Sequence, residues 1–103
     1  MWAQIIKLRI MPGKDAQLSL LIEQLNAAEQ PDSGLLRRST MRDQKDPCVI
    51  YSMVVFDSEE TARAREQDPR RELGMALARA TMADLLDGPP EFVDLDVIED
   101  RTT

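Results

Sequence analysis

The amino-acid sequence predicts an α+β domain built on a four-stranded antiparallel sheet. Short stretches rich in β-branched residues, some alternating apolar and polar, stand near both ends of the chain and in its middle. Two longer stretches between them repeat their apolar residues at helical spacing, and Pro- or Gly-containing breaks separate the segments. The order strand–helix–strand–strand–helix–strand is the ferredoxin-like βαββαβ motif, with sheet order 4-1-3-2. One domain is expected over residues 1–98, followed by a short tail at 99–103.

The first strand is expected over Trp2–Ile10, with Ile6, Leu8 and Ile10 on one face. Pro12 and Gly13 suit a turn, and Asp15 suits the cap of a helix running to Gln30, whose Leu18, Leu21, Ile22 and Leu25 form one buried stripe. Pro31 stops that helix. Leu35–Arg42 is polar and basic, as an edge strand tends to be. After the DQKDP loop, Val49–Phe56 is apolar apart from Ser52, which suits a strand covered on both faces. Asp57, with Glu60 three residues on, has the spacing of a capping box. The helix it opens breaks at Asp68–Pro69, because a residue before proline avoids helical angles. A further helix is expected over Arg70–Leu86, apolar on more than one side, with Gly88 near its C-terminal cap. Phe92–Ile98 is the last strand.

In this motif the first and last strands are antiparallel neighbours. Setting Arg9 against Asp94 and Lys7 against Asp96 matches every pair in kind, with Ile6, Leu8 and Ile10 facing Val97, Leu95 and Val93. That register predicts that Phe92 and Ile98 lie on the face away from the helices, and that Arg101 stacks near Trp2. It also reads Asp94 and Asp96 as charge partners rather than as a metal or acid–base pair.

Helices cover only one face of such a sheet, while the third strand is apolar on both. An apolar face of this kind calls for a partner, and a two-fold homodimer is the commonest solution.

The net charge of −6 opposes binding to nucleic-acid backbones, and sheet aromatics in basic surroundings are missing. No apolar run is long enough to span a membrane, and Lys7 and Arg9 interrupt the N-terminal apolar segment in a way a signal peptide does not, so a cytoplasmic protein is expected. The single Cys48 has no histidine to pair with and is expected as a small residue in or beside a strand. No phosphate-binding glycine loop, hydrolase elbow or His- or Cys-based metal spacing occurs, so neither cofactor nor metal is expected.

The stretch MPGKDAQLSLLIEQL, a strand–turn–helix opening, and KDPCVIYSMVVFDSEETARAREQDPRRE, with hairpin, central strand, short helix and helix break, resemble the antibiotic biosynthesis monooxygenase family of dimeric α/β-barrel proteins. The resemblance runs to about Asp96. It implies two sheets packed face to face across a dimer and a small pocket between sheet and helices in each subunit. Members of that family include cofactor-free oxygenases of phenolic polyketides or quinols, haem-degrading enzymes, and proteins with no known activity. The family often carries Glu after the central-strand Tyr and Trp two residues later, where this chain has Ser52 and Val54 beside Tyr51. Where it often has His, Arg65 and Arg70 stand here, and haem chemistry of the family kind lacks its axial ligand.

Tyr51, Arg65 and Arg70 are the catalytic candidates: a phenol to hydrogen-bond a phenolic substrate, and guanidinium groups to hold its oxyanion. Arg37 and Arg38 are further anion-binding candidates. Met53, Met75 and Met82, with Met41, offer an adaptable apolar lining. Trp2 is a candidate cap for the pocket or the interface. Two other readings stand beside the oxygenase: a non-catalytic small-molecule-binding module, which the absence of histidine favours, and a purely structural dimer.

Overall fold

Strand β1 (Trp2–Arg9) lies between β3 (Val49–Phe56) and β4 (Glu91–Asp96), and β2 (Leu35–Arg42) pairs with the far side of β3, so the sheet order is β2-β3-β1-β4 with every pair antiparallel. Helices α1 (Asp15–Ala28), α2 (Glu59–Glu66) and α3 (Glu72–Leu85) complete the ferredoxin-like arrangement, with a 3-10 turn at Pro69–Arg71 joining α2 to α3. The computed structural model describes residues 1–103.

Local chemistry accounts for the ends of these elements. Gly13 adopts φ +79° in the turn before α1, a conformation that glycine takes without strain. Asp15 opens α1 in its first turn, where a carboxylate complements the helix dipole, rather than serving as the expected side-chain cap. The cap of α2 falls on Ser58 rather than Asp57: its hydroxyl accepts the Thr61 N–H at 3.1 Å. Asp68 accepts the Arg70 N–H at 2.9 Å and opens the 3-10 turn, while Pro69 supplies its fixed φ.

The face of the sheet that meets the helices carries Trp2, Gln4, Ile6 and Leu8 of β1 opposite Phe56, Val54, Ser52 and Ile50 of β3. The main core lies here: Leu8, Ile10 and Ile50 pack against Leu18 and Leu21 of α1 and Ala78 and Leu85 of α3, with Cys48 at its margin. Each large apolar side chain removed from water here contributes roughly 1.5–3 kcal/mol. Helices α1 and α3 approach closely at Gly74, where an added Cβ would stand 2.8 Å from the Ala28 Cβ. Leu73 and Leu77, the second apolar side of α3, remain exposed.

The register of the end strands differs from the one expected. Asp94 lies opposite Gln4 instead of Arg9, Asp96 opposite Trp2 instead of Lys7, and Phe92 opposite Ile6. The shift is odd in residue number, so the faces of β4 exchange. Phe92, Asp94 and Asp96 share the helix-covered face, whereas Val93 and Leu95 lie on the open one with Ala3 and Ile5. Chain connection decides this. Leu86 bridges to Ile10, the Asp87 N–H donates to the Arg9 carbonyl at 2.7 Å, and a turn at 87–90 places Glu91 against Lys7. Side-chain pairs worth roughly 0.2–1 kcal/mol each do not overrule so short a tether. The charges find other partners: Lys7 with Glu91, Arg9 with Asp46 at 3.1 Å, and Asp94 with Gln4 and Arg63. Arg63, not Arg101, stacks on Trp2, its guanidinium carbon 5.0 Å from the ring centroid.

Candidate functional site

Towards α2 the aliphatic core gives way to a cavity of about 280 Å³ between sheet and helices. Trp2, Gln4, Ile6, Ser52, Val54 and Phe56 form its sheet wall, and Leu21, Leu25, Met75 and Met82 face them from α1 and α3. Trp2 and Phe56 meet as a tilted aromatic pair with centroids 6.1 Å apart. The exposed Phe92, the exposed Glu66 and Pro90 complete the rim. The volume lies near the low end of small-molecule sites and suits a ligand of one or two rings.

Three guanidinium groups line this otherwise apolar space: Arg38 of β2, Arg65 of α2 and Arg71 of the 3-10 turn. One carboxylate, Glu29, holds two of them. Arg65 reaches it through Nε at 2.9 Å and a terminal nitrogen at 2.6 Å, and Arg38 at 3.1 Å while also donating to Asn26 at 2.8 Å. Burial raises the Glu29 pKa, but hydrogen bonds from Arg65 and Ser33 and the charges of Arg65 and Arg38 outweigh it, so the net shift is downward and Glu29 stays ionised. Arg65 also lies over the Phe56 ring, 5.2 Å from its centroid.

Arg71 is 6% exposed and touches no carboxylate. It donates to the Arg65 carbonyl and to the Met75 sulfur, each at 3.2 Å, and its Nε has no partner. Burial and repulsion from Arg65 hold its pKa below the usual arginine value.

The structure divides the residues singled out from sequence. Arg65, Arg38, Met75, Met82 and Trp2 meet at the cavity. Tyr51, Met53, Arg37 and Met41 do not: they lie on the opposite face of the sheet, Tyr51 beside Lys7 and Met53 beside Ile5. Arg70 points away and pairs with Asp68 at 2.7 Å and Asp32 at 2.8 Å. Arg71 was not singled out, although a signal for it exists. Arg71, Met75, Ala78, Met82 and Leu85 fall at helical spacing, so the arginine heads the buried stripe of α3 while its neighbour Arg70 turns outward. No group of three or more acidic, His or Cys side chains is placed to hold a metal ion.

Fold and cavity together define a ferredoxin-like α+β protein with a small-molecule-sized site between sheet and helices. The sequence matches no family model, and no curated protein matches it significantly. Solved structures do. A protein of Chloroflexus aurantiacus, provisionally named an antibiotic biosynthesis monooxygenase, superposes with a TM-score of 0.70 at 25% identity, over 98% of this chain and 96% of its own. One of Caulobacter crescentus under the same provisional name gives a TM-score of 0.76 at 21% identity, over 95% and 90%. A Nitrosomonas europaea protein of unknown function gives 0.75 at 19%, over 99% and 93%. The chain resembles the antibiotic biosynthesis monooxygenase family, and the two matches below 25% identity speak for the fold alone.

Proposed function

We propose that this protein is a homodimer that binds a small apolar, ring-containing molecule in the cavity under α2, and that it acts on a phenolic or quinol-type substrate as a cofactor-independent monooxygenase. The observation that carries the reading is the enclosure of aromatic and methionine walls together with unneutralised guanidinium charge. Guanidinium groups at an apolar wall favour the ionised form of a phenol, and the ionised ring is the form that reacts directly with oxygen. Arg65 is the catalytic candidate that lies at the cavity, with Met75 and Met82 as ligand contacts. Oxygen consumption with a panel of quinols and anthrones, lost in Arg65→Met, tests the enzyme.

A second reading, a binding module without turnover, is favoured by a specific observation. The ionisable groups lining the cavity are Arg38, Arg65, Arg71 and Glu66, and Glu66 pairs with Arg63 at 3.3 Å, so no free general base stands there. A ligand that raises the melting temperature and leaves unchanged supports this reading over the first.

The dimer rests on the open face of the sheet, where the exposed Val93 and Leu95 and the half-buried Ile5, Tyr51 and Met53 form an apolar surface. On this reading Tyr51, Met53 and Arg37 serve the contact between subunits rather than the cavity. Native mass spectrometry reads subunit count and any retained ligand together, and a monomer at micromolar concentration overturns the dimer.

A further inference from the structure

Resting on the reading of the cavity as the ligand site, we propose that its ligand carries a carboxylate, seated on Arg71, and that the apolar walls hold the ring attached to it. Of the three guanidinium groups in the cavity wall, two share one carboxylate, and the one left out, Arg71, is the most buried of the three. Its protein partners are a backbone carbonyl and a thioether, the second a weak acceptor. A guanidinium group is always charged and presents its donors as a planar fork that matches a carboxylate. A buried cation without a counter-ion is unfavourable, and an anionic ligand removes that deficit where a neutral one leaves it. The remaining acids nearby are committed elsewhere: Glu29 to Arg65 and Arg38, Asp68 to Arg70, and Glu66 to Arg63. At 6% exposure the charge of Arg71 is little screened by solvent, so its pull on an anion is strong.

The test is a matched pair of probes, 2-naphthoate and 2-naphthamide, which share a ring system and differ in charge, titrated calorimetrically into the whole protein at pH 7. Naphthoate is expected to bind at least about tenfold more tightly, and Arg71→Met to abolish that preference. Equal binding of the two probes overturns the carboxylate while the cavity reading survives. Binding of neither overturns the cavity reading and this inference with it. A folded Arg71→Met protein that still prefers naphthoate overturns the assignment to Arg71. Should Arg71→Met fail to fold, the wild-type preference and its partial retention in Arg71→Lys decide the matter, and absence of a wild-type preference refutes it.

Discussion

The two ends of the layer between sheet and helices are built from different materials. At the end where α1 and α3 cross the sheet, Leu8, Ile10, Leu18, Leu21, Ile50, Ala78 and Leu85 close on one another, and Leu85 and Ala78 lose all contact with solvent. At the end under α2, Trp2, Val54, Phe56 and Ala62 form a smaller cluster, and Arg38, Arg65 and Arg71 fill the rest of the wall around an open cavity. The same β1 strand serves both ends, and so does the buried stripe of α3: it begins at Arg71 and finishes at Leu85. The packing is complete at one end, and the cavity and its charged wall lie where it stops.

The contrast is open to tests of decreasing size. Leu85→Ala opens a hole in the filled end and is expected to cost about 3–5 kcal/mol in urea denaturation, with probe affinity in the cavity unchanged. A comparable loss of affinity would mean that the ends are not independent. Glu29→Gln leaves Arg65 and Arg38 without their shared counter-charge and is expected to destabilise by about 3 kcal/mol, at the low end of what breaking a buried pair costs. Its pH dependence has a definite sign. The folded pKa of Glu29 lies below the ordinary value of 4.5, so its contribution is complete above that pH and is lost as pH falls through the folded value. The stability gap between wild type and Glu29→Gln therefore closes on acidification, which chemical denaturation at a series of pH values measures. Gly74→Ala forces a methyl group against Ala28 and is expected to cost about 1–3 kcal/mol, read as a lowered melting temperature. Ser58→Ala removes the cap of α2 and costs about 1 kcal/mol, and faster amide exchange confined to α2 checks that this helix is held by local chemistry more than by packing.

Much of the filled end was legible in the sequence. The ends of β2 and β3 fall at Leu35–Arg42 and Val49–Phe56 as expected, because Pro, Gly and charged loops bound them sharply. The α1 stripe of Leu18 and Leu21 is buried as its spacing implies. The cavity end was less legible for a physical reason. A guanidinium group at a core position looks, as a residue type, like surface, and only its place in the α3 stripe shows otherwise. Tyr51 misled in the opposite way: its neighbours in sequence make a plausible pocket residue, but β-strand alternation puts it on the far face from Ser52 and Val54, which do line the cavity. The β4 register is not legible from matched pairs, because the length of the turn that feeds the strand decides it.

That turn, at 87–90, has a consequence for how such a protein diversifies. Because its length, measured from the anchored Leu86 and Asp87, sets which side of β4 looks at the cavity, inserting or deleting a single residue there transposes the strand's two sets of side chains. Phe92 would leave the rim, with Val93 taking its place on a deletion and Glu91 on an insertion, while Asp94 and Asp96 would move to the open face of the sheet. The cavity rim and the open face would change together in one genetic event, with no codon of the strand altered.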